Sequence, residues 1–448
     1  MELNTYCTIY FSQIKPVIAV VKKYGLLIIL AFYWQFSPAQ NNPGLEDFLQ
    51  NARSNAPSLK ENGNLLKVGK FQNDIILAQN KAFQVNATSE LFVAPYFNNN
   101  GRVIDITTTP SPDAYGYDVG ITNGGLYAAQ VNVTKNLFNQ AVVDNLLFQN
   151  KIRNQAISLS SEDIAHNITK NITDAYIMAY QLQLQEDFTV GILADLEKRL
   201  QVLELLVRRG ILQESDYLLL QLDIESKNLE LQQIRNNLQV AVNQLYTFSG
   251  MTATDAGRLM EPEILKNSAF AKAERFYNRK YINDSLQIKA DQEVFENAYK
   301  PQVSVYGNTG LNAVEIANIN QKIGASAGLR LTIPIYDGHQ RKLNSQQSKL
   351  KEESLTYYKD NAKIQLDNNL QSIENQVEAL KKNQVLINKQ LKKQENILEI
   401  YKGKLVQGQV SIVDYLNVIQ NYRQNVYTQL QMKTNMWLLT SRYNFINW

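Results

Sequence analysis

The chain has 448 residues, of which 44% are hydrophobic and 19% charged, and its formal net charge is +3. This balance excludes a strongly basic protein that binds nucleic acid by neutralising phosphates, and it excludes an acidic disordered chain. Only ten prolines and twenty glycines interrupt the sequence, which favours long helices over several compact domains.

The first 39 residues are predicted to be an export signal. Lys22 and Lys23 precede a short apolar run from Gly25 to Trp34, and small residues follow up to Ala39. A basic flank, a short apolar core and small residues before the cleavage site are typical of signal peptides. The alternative, a membrane anchor, needs about 20 apolar residues, and this run is shorter. We therefore expect cleavage after Ala39, which also removes the single cysteine.

The remaining chain contains two copies of one unit. The segment GILQESDYLLLQ from Gly210 matches GQVSIVDYLNVI from Gly408, which aligns Asp216 with Asp414 at an offset of 198 residues. Self-similarity at a fixed offset is the signature of an internal duplication. The first repeat spans 40–250, the second spans 268–448, and the segment 251–267 links them.

Each repeat is predicted to contain two strands before a long helix. Apolar residues hold the odd positions from Ile323 to Ile335, and small or polar residues hold the even ones, so each strand has one apolar face. A soluble sandwich would bury that face, but the strand length also matches a tilted membrane strand. Because four strands cannot close a barrel, a membrane location requires several chains to pool their strands. The predicted strands are about 82–97, 115–135, 301–312 and 322–335.

Aromatic residues cluster near the ends of the first two predicted strands. They are Phe92, Tyr96, Phe97, Tyr115 and Tyr117. Such a cluster is typical of the aromatic belt at a membrane interface, although isolated surface tyrosines remain the plainer interpretation.

Two very long helices are predicted over about 140–209 and 339–407, and return helices follow over about 215–249 and 411–447. From Ile164 the apolar residues recur in steps of three and four, a spacing that favours coiled-coil packing. At about 1.5 Å per residue the first helix would span about 105 Å, too long for a globular core. With shorter helices over 45–79 and 268–299, the pattern predicts a rod about 100 Å long, with the sheet at one end and the turns at the other.

In order and content these elements resemble the TolC family of outer membrane efflux proteins. The resemblance covers 45–447 and rests on the entry-helix motif Asn55–Leu59, the strand-to-helix signature Pro334–Gly338, and the turn with its return helix from Gly408. It implies a mainly α fold with a small β part and a homotrimeric assembly. Four strands from each chain would close a 12-stranded outer membrane β-barrel, and the helices would form a hollow periplasmic barrel of coiled-coil hairpins.

The resemblance also implies function and partners. The protein would be a passive exit channel of a tripartite efflux or type I secretion system, located in the outer membrane in contact with lipid. Its partners would be a periplasmic adaptor (membrane fusion) protein and an inner-membrane pump of the RND or ABC class. No nucleic-acid partner is implied. The alternative is a soluble periplasmic coiled-coil scaffold or adaptor, in which the apolar strand faces would be buried.

The resemblance further implies two groups of site residues at the turns. The expected adaptor contacts are Gly210, Ile211, Leu212, Gly408, Gln409, Val410 and Ser411. The expected constriction of the closed pore is formed by Asp216, Asp414, Asn417 and Val410, although Val410 and Asn417 replace a basic and an acidic residue common in the family. A threefold ring of Asp414 would favour cations. The plainer interpretation makes the glycines helix C-caps and the aspartates N-caps or first-turn acids.

No enzyme, metal site or cofactor is predicted. The two histidines, His166 and His339, lie in different halves of the chain, whereas metal sites need clustered ligands. No phosphate-binding loop and no nucleophile motif is present, and no set of acid, base and nucleophile converges in the pattern.

Overall fold

The chain folds into two compact units. The computed structural model describes residues 42–92, 94–107, 109–117, 127–252, 257–267, 270–313 and 319–448, so the predicted signal peptide over 1–39 lies outside the described residues. One unit combines Ile172–Glu263 and Asn388–Thr434 with the chain up to Ala52, and we name it the turn unit. The other combines Arg53–Asn171, Ile264–Ile387 and Asn435–Trp448, and we name it the sheet unit. Each unit contains segments of both predicted repeats.

Helices dominate both units. The described α-helices are α1 (Leu45–Asn55), α2 (Pro57–Lys81), α3 (Gln140–Arg208), α4 (Glu214–Ser249), α5 (Phe270–Asn297), α6 (Gln340–Val406) and α7 (Ile412–Ile446). The helix expected over 45–79 is divided into α1 and α2, because Pro57 lacks a backbone N–H and keeps Ala56 in an extended conformation, with ψ at 116°. Within the described ranges, no helix is both long enough and apolar enough to cross a membrane.

The sheet unit contains an antiparallel sheet of four strands. The strands of the unit are β1 (Gln84–Leu91), β2 (Tyr96–Asn99), β3 (Arg102–Asp105), β4 (Tyr127–Leu137), β5 (Gln302–Ala313) and β6 (Ile323–Thr332). The order in the four-stranded sheet is β1-β4-β5-β6, so β1 and β6 are its edges. The first strand is shorter than the expected 82–97, and the second begins at Tyr127 rather than at 115, with 118–126 outside the described residues.

A separate hairpin of β2 and β3 was not predicted. Its turn runs through Asn100 and Gly101, which both have positive φ, at 48° and 85°. Asparagine and glycine adopt this left-handed conformation at the lowest cost, so the run Asn98–Gly101 is a turn signal that the strand pattern concealed. The hairpin ends the strand expected over 82–97 early.

The turn unit has an apolar core built by helices α3, α4, α6 and α7. Leu196 and Leu203 of α3 lie one heptad apart and are almost fully buried, as the three-and-four spacing predicts. Leu220, Leu405 and Tyr415 complete the same cluster from the other three helices. Each of the two helical turns thus lies next to a close-packed four-helix core.

Candidate functional site: two helical turns and a two-faced sheet

The two helical turns of the turn unit have the same backbone geometry. Gly210 and Gly408 adopt φ of 70° and 68°, the left-handed conformation that favours glycine. The amide of Ile211 donates to the carbonyl of Leu206 at 3.0 Å, and the amide of Gln409 donates to the carbonyl of Lys404 at 2.9 Å. This hydrogen-bond pattern is a Schellman C-cap, so both glycines end their helices as the plainer interpretation expected.

The remaining turn residues divide into exposed and packed ones. Ile211, Gln409 and Ser411 are exposed. Leu212 and Val410 instead pack against the core of the turn unit, so their side chains are only partly accessible. The two turns also meet, because a Cβ on Gly408 would lie 3.2 Å from Cγ2 of Ile211.

The predicted constriction residues begin the return helices. The carboxylate of Asp216 accepts a hydrogen bond from the amide of Gln213 at 3.1 Å, which completes an N-terminal cap of α4. Ser411 Oγ accepts from the amide of Asp414 at 3.1 Å and donates to Asp414 Oδ2 at 2.7 Å. Both aspartates therefore stabilise helix N-termini, where negative charge is also favoured by the helix dipole. Asn417 follows Asp414 by one turn on the exposed side of α7.

The four-stranded sheet has one apolar and one polar face. Register places odd-numbered residues opposite odd-numbered ones throughout, as in Val85 with Val133 and Val303 with Leu331. The odd face carries Val, Leu, Ile and Ala at most positions, and many of these side chains are exposed. The even face carries mainly Asn, Gln, Ser, Thr and Gly, and its only charged residues in the described strands are Glu90 and Arg330.

Polar side chains on the even face pair across neighbouring strands. Asn132 Nδ2 donates to Thr88 Oγ1 at 2.8 Å, and Ser326 Oγ donates to Asn308 Oδ1 at 2.9 Å. The guanidinium of Arg330 lies over the ring of Tyr306, 5.2 Å from its centroid. A face of this kind suits water, whereas the opposite face suits an apolar environment.

One group of charges near the turns escaped the sequence analysis. Asp195 of α3 accepts hydrogen bonds from Arg199 at 3.1 and 3.2 Å, and Lys402 Nζ of α6 lies 3.6 Å from the same carboxylate. The hydroxyl of Tyr415 of α7 is 3.4 Å from Asp195 Oδ2. Burial acts to raise the pKa of Asp195, but Arg199 and Lys402 outweigh it, so the pKa lies below its ordinary value. Asp195 thus joins three helices.

A second group lies around Glu230 of α4. Its carboxylate accepts from Lys227 at 2.7 Å, from Arg423 of α7 at 3.0 Å and from the hydroxyl of Tyr427 at 2.8 Å. Burial acts to raise the pKa of Glu230, and these donors lower it below the ordinary value. Thr189 of α3 is bonded to Tyr427 at 2.9 Å, so this group also joins three helices.

Solved structures of outer membrane channels match this architecture. The outer membrane protein VceC from Vibrio cholerae is 15% identical, with a TM-score of 0.67, over 90% of this chain and 96% of that chain. CusC, described in connection with transmembrane channel formation, is 11% identical with a TM-score of 0.69, over 92% of this chain and 94% of that one. The CmeC outer membrane channel of Campylobacter jejuni is 13% identical with a TM-score of 0.67, over 90% of this chain and 85% of that chain.

The chain has the fold of these outer membrane channels. The resemblance to the TolC family is thereby confirmed for the fold, together with a mainly helical chain that carries a four-stranded sheet. No protein-family model and no curated protein sequence matches the chain. The named neighbours are channels or outer membrane proteins rather than enzymes.

Within this channel fold, the structure brings the predicted turn residues together. The two turns, with Gly210 and Gly408, belong to one unit and contact each other through Ile211. The Asp195 and Glu230 groups were missed because partners such as Lys402 and Tyr427 come from distant segments. Only the spacings of Asp195 with Arg199 and of Lys227 with Glu230 were visible in the sequence, as local helical ion pairs.

Proposed function

We propose that the protein is an outer membrane channel through which an inner-membrane pump passes its substrates out of the cell. The observation that carries the proposal is the two-faced sheet, because an apolar face opposite a polar one suits a wall between lipid and water. The shared fold with outer membrane channels supports the same role. The channel itself is passive, and its work comes from the pump.

The working form is a homotrimer. The edge strands β1 and β6 present backbone groups that have no partner strand among the described residues, and such groups cannot face lipid. Pairing the edges of three copies closes a barrel of 12 strands, above the minimum of about eight. Exposed apolar residues on α6 repeat every seven positions, which supports contact between helices of neighbouring copies. These residues are Leu343, Leu350, Tyr357 and Ile364.

The helical turns are the proposed contact with a periplasmic adaptor. Ile211, Gln409 and Ser411 are exposed at the turns, and the Schellman caps hold the backbone of Gly210 and Gly408 in one conformation. Leu212 and Val410 pack inward, so we assign them a supporting role in the same contact. Through the adaptor, the channel would serve an inner-membrane pump of the RND or ABC class, in efflux or in type I secretion.

Fractionation separates this proposal from a soluble periplasmic scaffold. A channel should remain with the outer membrane after salt and alkaline washes, and detergent should release it as a trimer. A scaffold should appear in the soluble periplasmic fraction as a monomer, without detergent, and that result would overturn the proposal.

Asp414 and its neighbours form the proposed closed constriction. In a trimer, Asp414 of α7 occurs three times around the axis, and Asn417, Asp216 and Val410 lie close to it in sequence or at the paired turn. A ring of carboxylates attracts cations, so divalent cations should reduce single-channel conductance. The variant Asp414→Ala should lose most of this block. An equal block in wild type and Asp414→Ala would contradict the assignment.

A further inference from the structure

The hairpin of β2 and β3 lies at one end of the four-stranded sheet. Strand β1 leaves the sheet at Leu91, β4 enters it at Tyr127, and these two residues are paired. Helix α2 ends at Lys81, just before the start of β1, and α3 begins at Gln140, just after the end of β4. The hairpin therefore lies at the end of the sheet away from its helices, which is the outer side of the membrane in the proposed channel.

Internal hydrogen bonds hold the hairpin in one shape. Asn99 is buried, and its Nδ2 donates to Asp105 Oδ2 at 2.6 Å. Its Oδ1 accepts from the amide of Ser111 at 2.7 Å, and Arg102 pairs with Asp105 at 3.1 Å. The polar groups of the hairpin are thus largely satisfied within it, and a fixed shape lowers the entropic cost of contacting another surface.

One face of the hairpin carries an exposed apolar stripe. Phe97 is paired with Ile104 on β3 and with Tyr115 on its other side. Residues directly opposite each other in antiparallel strands point to the same face, so the three side chains form one row. They are 48%, 61% and 72% exposed, in the order Phe97, Ile104 and Tyr115.

The other face of the hairpin is attached to the sheet. Tyr96 is buried together with Ala94 and packs against Ala114 and Tyr127. A Cβ on Gly116 would lie 2.5 Å from the Tyr96 ring, so this contact is close. Tyr127 belongs to the odd, apolar face of the sheet. The hairpin therefore joins the sheet on its apolar side rather than over the polar face.

We propose that the stripe of Ile104, Phe97 and Tyr115 contacts the lipid–water interface of the membrane and anchors the hairpin there. The inference rests on the proposed function, which places the apolar face of the sheet in lipid. Aromatic side chains combine an apolar ring with a polar tip and collect at membrane interfaces. The attachment of Tyr96 to Tyr127 holds the hairpin on the apolar side of the sheet and leaves the stripe exposed there, whereas a hairpin that closed the channel mouth would have to lie over the polar face.

Site-directed spin labelling tests the proposal. Three single-cysteine variants are made in a Cys7→Ser background: Ile104→Cys on the stripe, Ser326→Cys on the polar face of β6, and Leu329→Cys on the apolar face of β6. The full chain is reconstituted into phosphatidylcholine vesicles. Collision of the nitroxide with oxygen, which partitions into lipid, is compared with collision with a nickel chelate, which stays in water.

The expected result is an oxygen-to-nickel collision ratio several-fold higher at positions 104 and 329 than at 326. A high ratio at 329 with a low ratio at 104 would place the hairpin in water and overturn this proposal alone. Spin–spin broadening at 104, with little access for either reagent, would indicate contact between hairpins of neighbouring copies and would also overturn it. A low ratio at 329 would instead overturn the proposed function.

Discussion

In the turn unit, Leu405 lies among the side chains of four helices and is 1% exposed, whereas Leu329 on β6 of the sheet unit is 72% exposed. The helices bury their leucines within one chain, because the three-and-four spacing directs them to a shared core. Among the described residues, most of the odd face of the sheet stays uncovered, since Val85, Leu329 and Leu331 are 65%, 72% and 61% exposed. The contrast shows that the helices form a self-contained core, whereas the odd face of the sheet suits apolar surroundings, as the proposed channel requires.

The same substitution should have unequal effects in the two regions. Leu405→Ala leaves a cavity in a close-packed core and should lower the free energy of unfolding by about 2–5 kcal/mol. Leu329→Ala should lower the free energy of unfolding by clearly less, because lipid or detergent fills the vacated space. Denaturant titration of the detergent-solubilised protein, followed by helical circular dichroism, measures both. Equal losses would contradict the contrast between the regions.

A charge should distinguish the two faces of the sheet. Leu329→Arg places a cation on the face proposed to meet lipid and should destabilise the folded sheet by about 2–4 kcal/mol near the bilayer centre. Ser326→Arg is the matched change on the polar face, which already carries Arg330. The amount of folded protein in the outer membrane should fall for Leu329→Arg and stay near the wild-type level for Ser326→Arg. If Ser326→Arg instead lowered the amount of folded protein more than Leu329→Arg, the even face would be the one that meets lipid, which would contradict the proposal.

The two turns provide a smaller comparison within the turn unit. Alanine at Gly210 or Gly408 is forced into the left-handed conformation, which costs about 1–2 kcal/mol. At Gly408 the new methyl group would also lie 3.2 Å from Ile211 Cγ2, whereas nothing lies within 4 Å at Gly210. Gly408→Ala should therefore lower the thermal midpoint more than Gly210→Ala. A larger effect at Gly210 would show that the turns do not meet as described.

The Asp195 group should give the smallest effect, with a distinct pH dependence. The pKa of Asp195 is lowered in the folded chain, so its stabilisation is present above the ordinary aspartate pKa of about 3.9 and is lost as the pH falls through the folded value. The side chain is 34% exposed, so Asp195→Asn should cost only about 1 kcal/mol at neutral pH.

Thermal midpoints at several pH values test this expectation. The difference in midpoint between wild type and Asp195→Asn should shrink as the pH falls below about 4, because the unfolded chain takes up a proton at Asp195 there and the folded chain does so only at lower pH. The control Glu197→Gln changes an exposed carboxylate on the same helix and should remain close to wild type at every pH. If the difference in thermal midpoint between wild type and Asp195→Asn did not change with pH, the ionised carboxylate of Asp195 would not be the source of the stabilisation.

Much of the fold could be predicted because it is periodic. Alternation over 323–335 identified β6, and the spacing of leucines such as Leu196 and Leu203 identified α3. Irregular features were harder to predict. The β2–β3 hairpin depends on backbone conformations at Asn100 and Gly101 that alternation does not encode.

The candidate site was predictable only in part, for a related reason. The C-caps at Gly210 and Gly408 follow from local sequence, because a left-handed residue at a helix end selects glycine. The partners of Asp195 and Glu230 on α7, Tyr415 and Arg423, lie 220 and 193 residues away and meet them only through tertiary packing. Charges at such separation carry no periodic signal in a single sequence.

Single-channel recording tests the central claim most directly. The purified full chain, extracted in detergent as a trimer, is added to a planar lipid bilayer under an applied voltage. The polar face of the sheet should line a water-filled pore, so the current should rise in uniform steps. Leu329→Arg should insert less often, whereas Ser326→Arg should insert and alter the step size. An intact bilayer with no current steps, from protein that is folded and trimeric, would contradict the proposal that this chain forms a channel.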